Sequence, residues 1–157
     1  MEIRRALEGD IPRLTALLYQ VGRVHYDLRP DIFRPVTLKY DEAQLCDILQ
    51  NDNRPVYVAV EDGTVLGFCF CIIKNIRGNS VVRDMIEFYI DDLCVDEACR
   101  GRGIGEALYR YAYDRAGELG SRAVTLNVWN CNVRAMKFYE KLGLRPQKTY
   151  MEAVLGE

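Results

Sequence analysis

The chain has 157 residues, 49% hydrophobic and 28% charged, the length and balance of one globular domain able to bury its own core. A net charge of −2 disfavours a general nucleic-acid binder, which would be basic. No apolar run nears the ~20 residues that span a bilayer. The acid-bearing start MEIRRALEGD lacks the apolar stretch of a signal peptide, so the expected location is cytoplasmic with no membrane partner.

In chain order, residues 2–6 predict a short first strand. Residues 8–26 predict a helix, with Asp10 as N-cap, Pro12 in the first turn, and Leu14, Leu17, Leu18, Val21 and Val24 at helical spacing. Two prolines in DLRPDIFRPVT end it, and a second helix is expected over Leu38 to Gln50. Residues 55–61 and 65–76 flank Asp62-Gly63 and predict a hairpin. Residues 85–95, MIEFYIDDLCV, predict a third strand of that meander. Residues 103–120 read as a helix with Gly120 as its C-terminal stop. A strand over 123–129, a helix through NVRAMKFYEKLG and a last strand over Thr149 to Leu155 complete the order β-α-α-β-β-β-α-β-α-β. No repeat, low-complexity tract or linker interrupts it, so the expectation is one α/β domain over residues 1–157. Its mixed sheet would join an antiparallel meander to a parallel crossover.

The six cysteines, at 46, 69, 71, 94, 99 and 131, show no metal-ligand spacing. They are expected to be reduced, small core residues. The lone histidine, His25, argues against a multi-histidine metal site, so no metal is expected.

The segment CRGRGIGEAL places Gly101, Gly103 and Gly105 beside Arg100 and Arg102, directly before a helix. Glycines let a backbone approach a ligand closely, and a helix start offers free N–H groups and a positive dipole end. The pattern therefore points to a pyrophosphate. It is not a P-loop, because the chain has no Gly-Lys pair. Nor is it the dinucleotide fingerprint, whose third glycine would fall on Glu106 and which would follow a repeating βαβ unit.

With Arg100, Gly103 and Gly105 in the spacing [QR]xxGxG after a long strand, LCVDEACRGRGIGEAL resembles the acetyl-CoA-binding motif of the GNAT superfamily of N-acetyltransferases. A second motif agrees: Asn132, Ala135, Phe138, Tyr139 and Gly143 in NVRAMKFYEKLGL resemble that superfamily's Asn-x-x-Ala-x-x-Phe-Tyr helix. The element order matches over nearly the whole chain, least over the first 55 residues.

The resemblance implies a direct acetyl transfer from acetyl-CoA to an amine. It implies that Leu93, Cys94 and Val95 pair with the pantetheine arm, and that the amides of Arg100, Gly101, Arg102, Gly103, Ile104 and Gly105 hold the pyrophosphate. The strand carrying Asn127 would splay from that of Leu93 to open a wedge, with Asn132 bonding the arm from the other side. Tyr139 would be the general acid, since a phenol with a reference pKa near 10 is protonated at neutral pH and can supply the departing thiolate. The base stays open. Glu87, Tyr89 and Asp91 share a strand face by period two and Asp92 lies on the other, though a bulge in this strand, common in the family, would shift that assignment. YIDDLCV also resembles the spermidine/spermine acetyltransferases, in which acids face a cationic amine, so Asp91 or Asp92 would bind the acceptor or deprotonate it through water. Tyr26, Arg29 and Phe33 lie where relatives line the acceptor site.

Three readings follow: a small-molecule amine acetyltransferase for a polyamine or amino compound, an acetyltransferase for protein N-termini or lysines, and an acyl-CoA-binding module without catalysis. A homodimer is common among such relatives.

Overall fold

The computed structural model describes residues 1–35 and 38–156. They form two compact units, Met1–Asn127 and Val128–Glu157.

The first unit is built on a five-stranded sheet in the order β1 (Glu2–Arg5), β2 (Val56–Glu61), β3 (Thr64–Ile76), β4 (Met85–Val95), β5 (Ala123–Leu126). The first three pairings are antiparallel and β4–β5 is parallel. Asp62 and Gly63 carry φ of 50° and 76°, the paired positive values that a two-residue hairpin needs to match strand twist.

Strand residues alternate between the two sheet faces, and helices cover both. On one face α1 (Ile11–Leu28) buries Leu14, Leu17 and Leu18, and α2 (Glu42–Gln50) buries Leu45 and Ile48. They pack with Val56, Val58, Phe68, Phe70 and Cys94. On the other face α3 (Ile104–Glu118) buries Ile104, Leu108, Ala112 and Ala116, and it contacts β3 and β4. Gly67 sits beneath α3. A Cβ there would stand 2.7 Å from the Cys94 carbonyl oxygen and 3.2 Å from Leu108 Cδ1. Helix α3 ends as expected at Gly120, with φ 68° and bonds from Gly120 N–H to Gly117 O and Ser121 N–H to Ala116 O.

Three local expectations are corrected. Helix α2 starts at Glu42, not Leu38: Asp41 accepts from the Gln44 amide and Gln44 accepts from the Asp41 amide, a reciprocal cap that leaves Lys39 and Tyr40 in the connection. Asp10 stands at the N-cap position of α1 as expected, but its side chain bonds no amide of that helix. Its carboxylate takes both Arg4 guanidinium nitrogens, at 2.7 and 3.0 Å, and the Leu7 amide at 2.8 Å. The cysteines are all free, but only Cys69, Cys71 and Cys94 are core; Cys131 is exposed. Burial pushes the Cys94 thiol up to about 12, which makes it inert at neutral pH.

The second unit carries α4 (Val133–Lys141). The Asn132 side chain accepts from the Ala135 amide at 3.1 Å and starts the helix. Gly143, φ 92°, ends it, with Leu144 N–H bonded to Tyr139 O and Gly143 N–H to Glu140 O. The strand expected over Thr149 to Leu155 does not form: residues 144–154 carry no strand, and Tyr150, Met151 and Leu155 are exposed. A strand exists only through a ladder partner, which the residues of the segment do not specify. For the same reason β5 stops at Leu126 rather than at Trp129.

Candidate active site

The glycine segment is held at its start by Asp96. Its amide bonds Leu66 O at 2.8 Å, its Oδ1 accepts from Ala98 N–H at 2.9 Å, and its Oδ2 pairs with Arg13. Arg13 also donates from Nε to Val65 O at 2.9 Å, so α1 is tied to the end of β4 where the loop begins. Gly101 and Gly103 then adopt φ of 82° and 77°. A Cβ at either would meet nothing within 4 Å, so the glycines answer to backbone conformation and not to crowding.

Gly103 is the N-cap of α3. The first bond within the helix runs from Ala107 N–H to Gly103 O, at 3.0 Å. The amides of Ile104, Gly105 and Glu106 precede that bond and carry the positive end of the helix dipole. The two arginines differ: Arg100 donates from Nε to Val95 O at 3.2 Å, whereas Arg102 pairs with half-buried Glu61 at 2.6 Å. Turned glycines and a helix start are the donor set a diphosphate needs.

Strand β4 outruns its parallel neighbour. The β4–β5 ladder ends at Ile90 and Leu126, so no β5 residue pairs with Asp91, Asp92, Leu93, Cys94 or Val95. Asn127 follows at once, and its Nδ2 donates to the Tyr89 hydroxyl at 3.2 Å. An open stretch of strand edge therefore leads into the glycine loop.

The face assignment of the acids needs correction. Cys71 pairs with Ile90 and Phe70 with Asp92, leaving Asp91 as an extra residue, a β-bulge. Beyond the bulge every side chain changes sides. Glu87 and Tyr89 therefore share the α1/α2 face with Asp92, not with a flat continuation through Asp91. The bulge still aims both aspartates at one cation: Lys39 Nζ lies 2.8 Å from Asp91 Oδ2 and 2.5 Å from Asp92 Oδ2. Tyr40 donates from its hydroxyl to Asp91 Oδ2 at 3.1 Å, accepts from Arg54 at 3.1 Å, and stacks on Phe70.

The Asp92 side chain is only 8% exposed. Burial raises its pKa above the usual carboxylate value, and Lys39 pulls it back only in part. Burial acts against the Lys39 charge as well, but Asp92 and Asp91 outweigh it and hold Lys39 protonated. His25 stacks on Phe33 with centroids 5.0 Å apart, and burial lowers its pKa against the opposing charge of Asp92, so the imidazole is neutral at neutral pH. Glu87 sits further along, bonded by the Thr125 hydroxyl and 3.8 Å from Lys74 Nζ.

Of the expected acceptor residues, Phe33 stacks on His25, Arg29 pairs with Asp31 at 2.7 Å, and Tyr26 is half-buried on α1. Tyr139 lies on α4 in the second unit, half-buried, its ring 5.0 Å from that of Phe138. Lys39, Tyr40 and Arg54 escaped the sequence reading. The signal that finds the first two is Asp41-x-x-Gln44, which starts the helix after them. Among the described residues, no group of three or more His, Cys, Asp or Glu side chains is placed to hold a metal, and no helix is long and apolar enough to cross a membrane.

The profile of the acetyltransferase (GNAT) family matches residues 23–144. The chain is 30% identical over 156 residues to an uncharacterized N-acetyltransferase of Bacillus subtilis, covering 99% of this chain and 97% of that one. It is 38% identical over 88 residues to a D-amino-acid N-acetyltransferase of Saccharomyces cerevisiae, 56% of this chain and 52% of that one. It spans about half the length of that and two further curated relatives. The crystal structure of a tetramutant protein from Bacillus halodurans superposes with a TM-score of 0.93 at 30% identity, covering 99% of this chain and 100% of that one. The chain belongs to the GNAT family of acetyltransferases, whose members draw on acetyl-CoA.

Proposed function

We propose that the chain is a single N-acetyltransferase domain that transfers the acetyl group of acetyl-CoA directly to the amine of a small molecule. The observation that carries this is the continuity of an open strand edge, Asp91 to Val95, with a left-handed glycine turn and the start of α3. That arrangement offers main-chain groups to an amide-bearing arm and then N–H groups to a diphosphate. Leu93, Cys94 and Val95 take the arm, and Arg100 through Gly105 take the diphosphate; Asn127 and Asn132 remain as further contacts to the arm.

Acetyl-CoA supplies the acetyl group as a thioester. The acceptor binds on the α1/α2 face of β4, where Asp91 and Asp92 are a seat for an ammonium and Tyr26, Arg29 and Phe33 border it. The amine attacks as its neutral form. Its proton leaves through water to a carboxylate, Asp92, Asp91 or Glu87, and burial strengthens the hold of Asp92 on protons. As the carbon–sulfur bond breaks, Tyr139 gives its phenolic proton to the sulfur. The small-molecule reading is supported by the S. cerevisiae relative, named for D-amino acids. A cytoplasmic location and a homodimer belong to the same reading and rest on composition and resemblance.

Tyr139→Phe tests the acid. Turnover falls about 100-fold while acetyl-CoA affinity, measured by calorimetry, holds. Unchanged turnover removes Tyr139 from the mechanism.

A further inference from the structure

The acidic pair on the β4 bulge already holds a primary ammonium. Lys39 Nζ contacts both carboxylates, at 2.8 and 2.5 Å, and the Tyr40 hydroxyl bonds one of the same oxygens, Asp91 Oδ2. Across the Tyr40 hydroxyl stands Arg54, whose guanidinium also lies 5.5 Å from the Tyr40 ring centre. Two negative charges thus face two positive ones, and His25 beside them is neutral. An incoming cation meets no net negative charge here while Lys39 is in place.

Lys39 can leave. It comes from the connection between α1 and α2, not from a regular element, and 41% of its side chain is exposed. Its charge rides on a flexible four-carbon stem. Asp91 and Asp92, by contrast, lie within β4, Asp92 paired with Phe70 and Asp91 bulged between the paired Ile90 and Asp92, and their side chains are 19% and 8% exposed. The carboxylates form the fixed half of the contact and the ammonium the exchangeable half.

We propose that Lys39 is a specificity-determining residue: its ammonium occupies the seat of the acceptor's amine on Asp91 and Asp92, and an ammonium acceptor enters only by exchanging for it. This rests on the acceptor-site reading above. It makes Lys39 an internal competitor that weakens binding of simple cations and favours acceptors whose other groups repay its displacement. Arginine in its place keeps the competing charge; methionine keeps the length and removes the charge.

The test measures binding without turnover. Calorimetry with 1,4-diaminobutane is run in the presence of CoA, which cannot donate an acetyl group, on wild type, Lys39→Met, Lys39→Arg and the double variant Lys39→Met/Asp92→Asn. Thermal melting confirms that each is folded. Lys39→Met binds the diamine about tenfold more tightly than wild type, Lys39→Arg binds as wild type does, and the double variant loses the gain. Lys39→Met binding no tighter, or a gain that survives Asp92→Asn, overturns the exchange. Acetylation of the diamine is scored separately with acetyl-CoA. Tighter binding without acetylated product refutes the acceptor-site reading, and with it the role in specificity, and leaves only the exchange of cations standing; acetylation without tighter binding refutes the exchange alone.

Discussion

Ile90 and Asp92 stand two residues apart on β4 and face opposite sides of the sheet. In an unbroken strand they would share a side. The extra residue between them, Asp91, inverts the strand there. Ile90 joins the apolar layer under α3, while Asp92 turns to α1 and α2 beside Lys39. One inserted residue thus lets a single strand serve the core first and a charged site next, and the stretch without a β5 partner starts at the same place.

Gly67 tests how closely β3 and β4 must approach behind that site. A Cβ there meets main chain, the Cys94 carbonyl at 2.7 Å and Val95 Cα at 3.3 Å, and neither can swing away as a side chain could. Gly67→Ala should cost about 1–3 kcal/mol in urea denaturation. It should also weaken acetyl-CoA binding, because Val95 leads into the glycine loop. A neutral stability effect would show that the two strands separate freely.

Gly103 tests the loop itself. Its φ of 77° lies in the left-handed region, where an alanine costs about 1–2 kcal/mol. The chain escapes that cost by leaving the conformation that presents the first amides of α3. Gly103→Ala should therefore lower acetyl-CoA affinity at least tenfold by calorimetry, with the far-ultraviolet circular dichroism unchanged. Full affinity in a folded variant would remove the loop from cofactor binding.

Asp10 supplies a pH-dependent contribution to stability. The Arg4 guanidinium hydrogen-bonds its carboxylate and holds its pKa below the ordinary value of about 3.8. Between the folded and unfolded values the unfolded chain binds more protons, so stability rises with pH there. The contribution is complete above about 3.8 and is lost as pH falls through the folded value. Asp10→Asn should cost about 1–3 kcal/mol at pH 7, and the gap to wild type should narrow below pH 3.8. A gap that stays constant to pH 2 would contradict this account.

Most of the fold is local information, and so it was legible. Asp62-Gly63 announced the hairpin, the spacing of Leu14, Leu17 and Leu18 announced α1, and residues 85–95 were bounded to the residue. The glycine turn was legible because φ near +80° demands glycine. What escaped depends on partners. The last strand failed for want of a ladder, the two faces of β4 depended on a bulge that the family resemblance raised but no residue type marks, and the contact between Lys39 and Asp92 joins residues 53 apart in the chain. Pairing across that distance leaves no trace in periodicity.

Acetyl transfer to a small amine is tested most directly by mass spectrometry of the products after incubation with acetyl-CoA and a mixed panel of polyamines, amino acids, aminoglycosides and short peptides. The account predicts a gain of one acetyl group on a small-molecule class and none on the peptides. Acetylated peptides with unmodified small amines would contradict the acceptor assignment. No acetylated product from any of them, with acetyl-CoA bound, would contradict catalysis of this transfer.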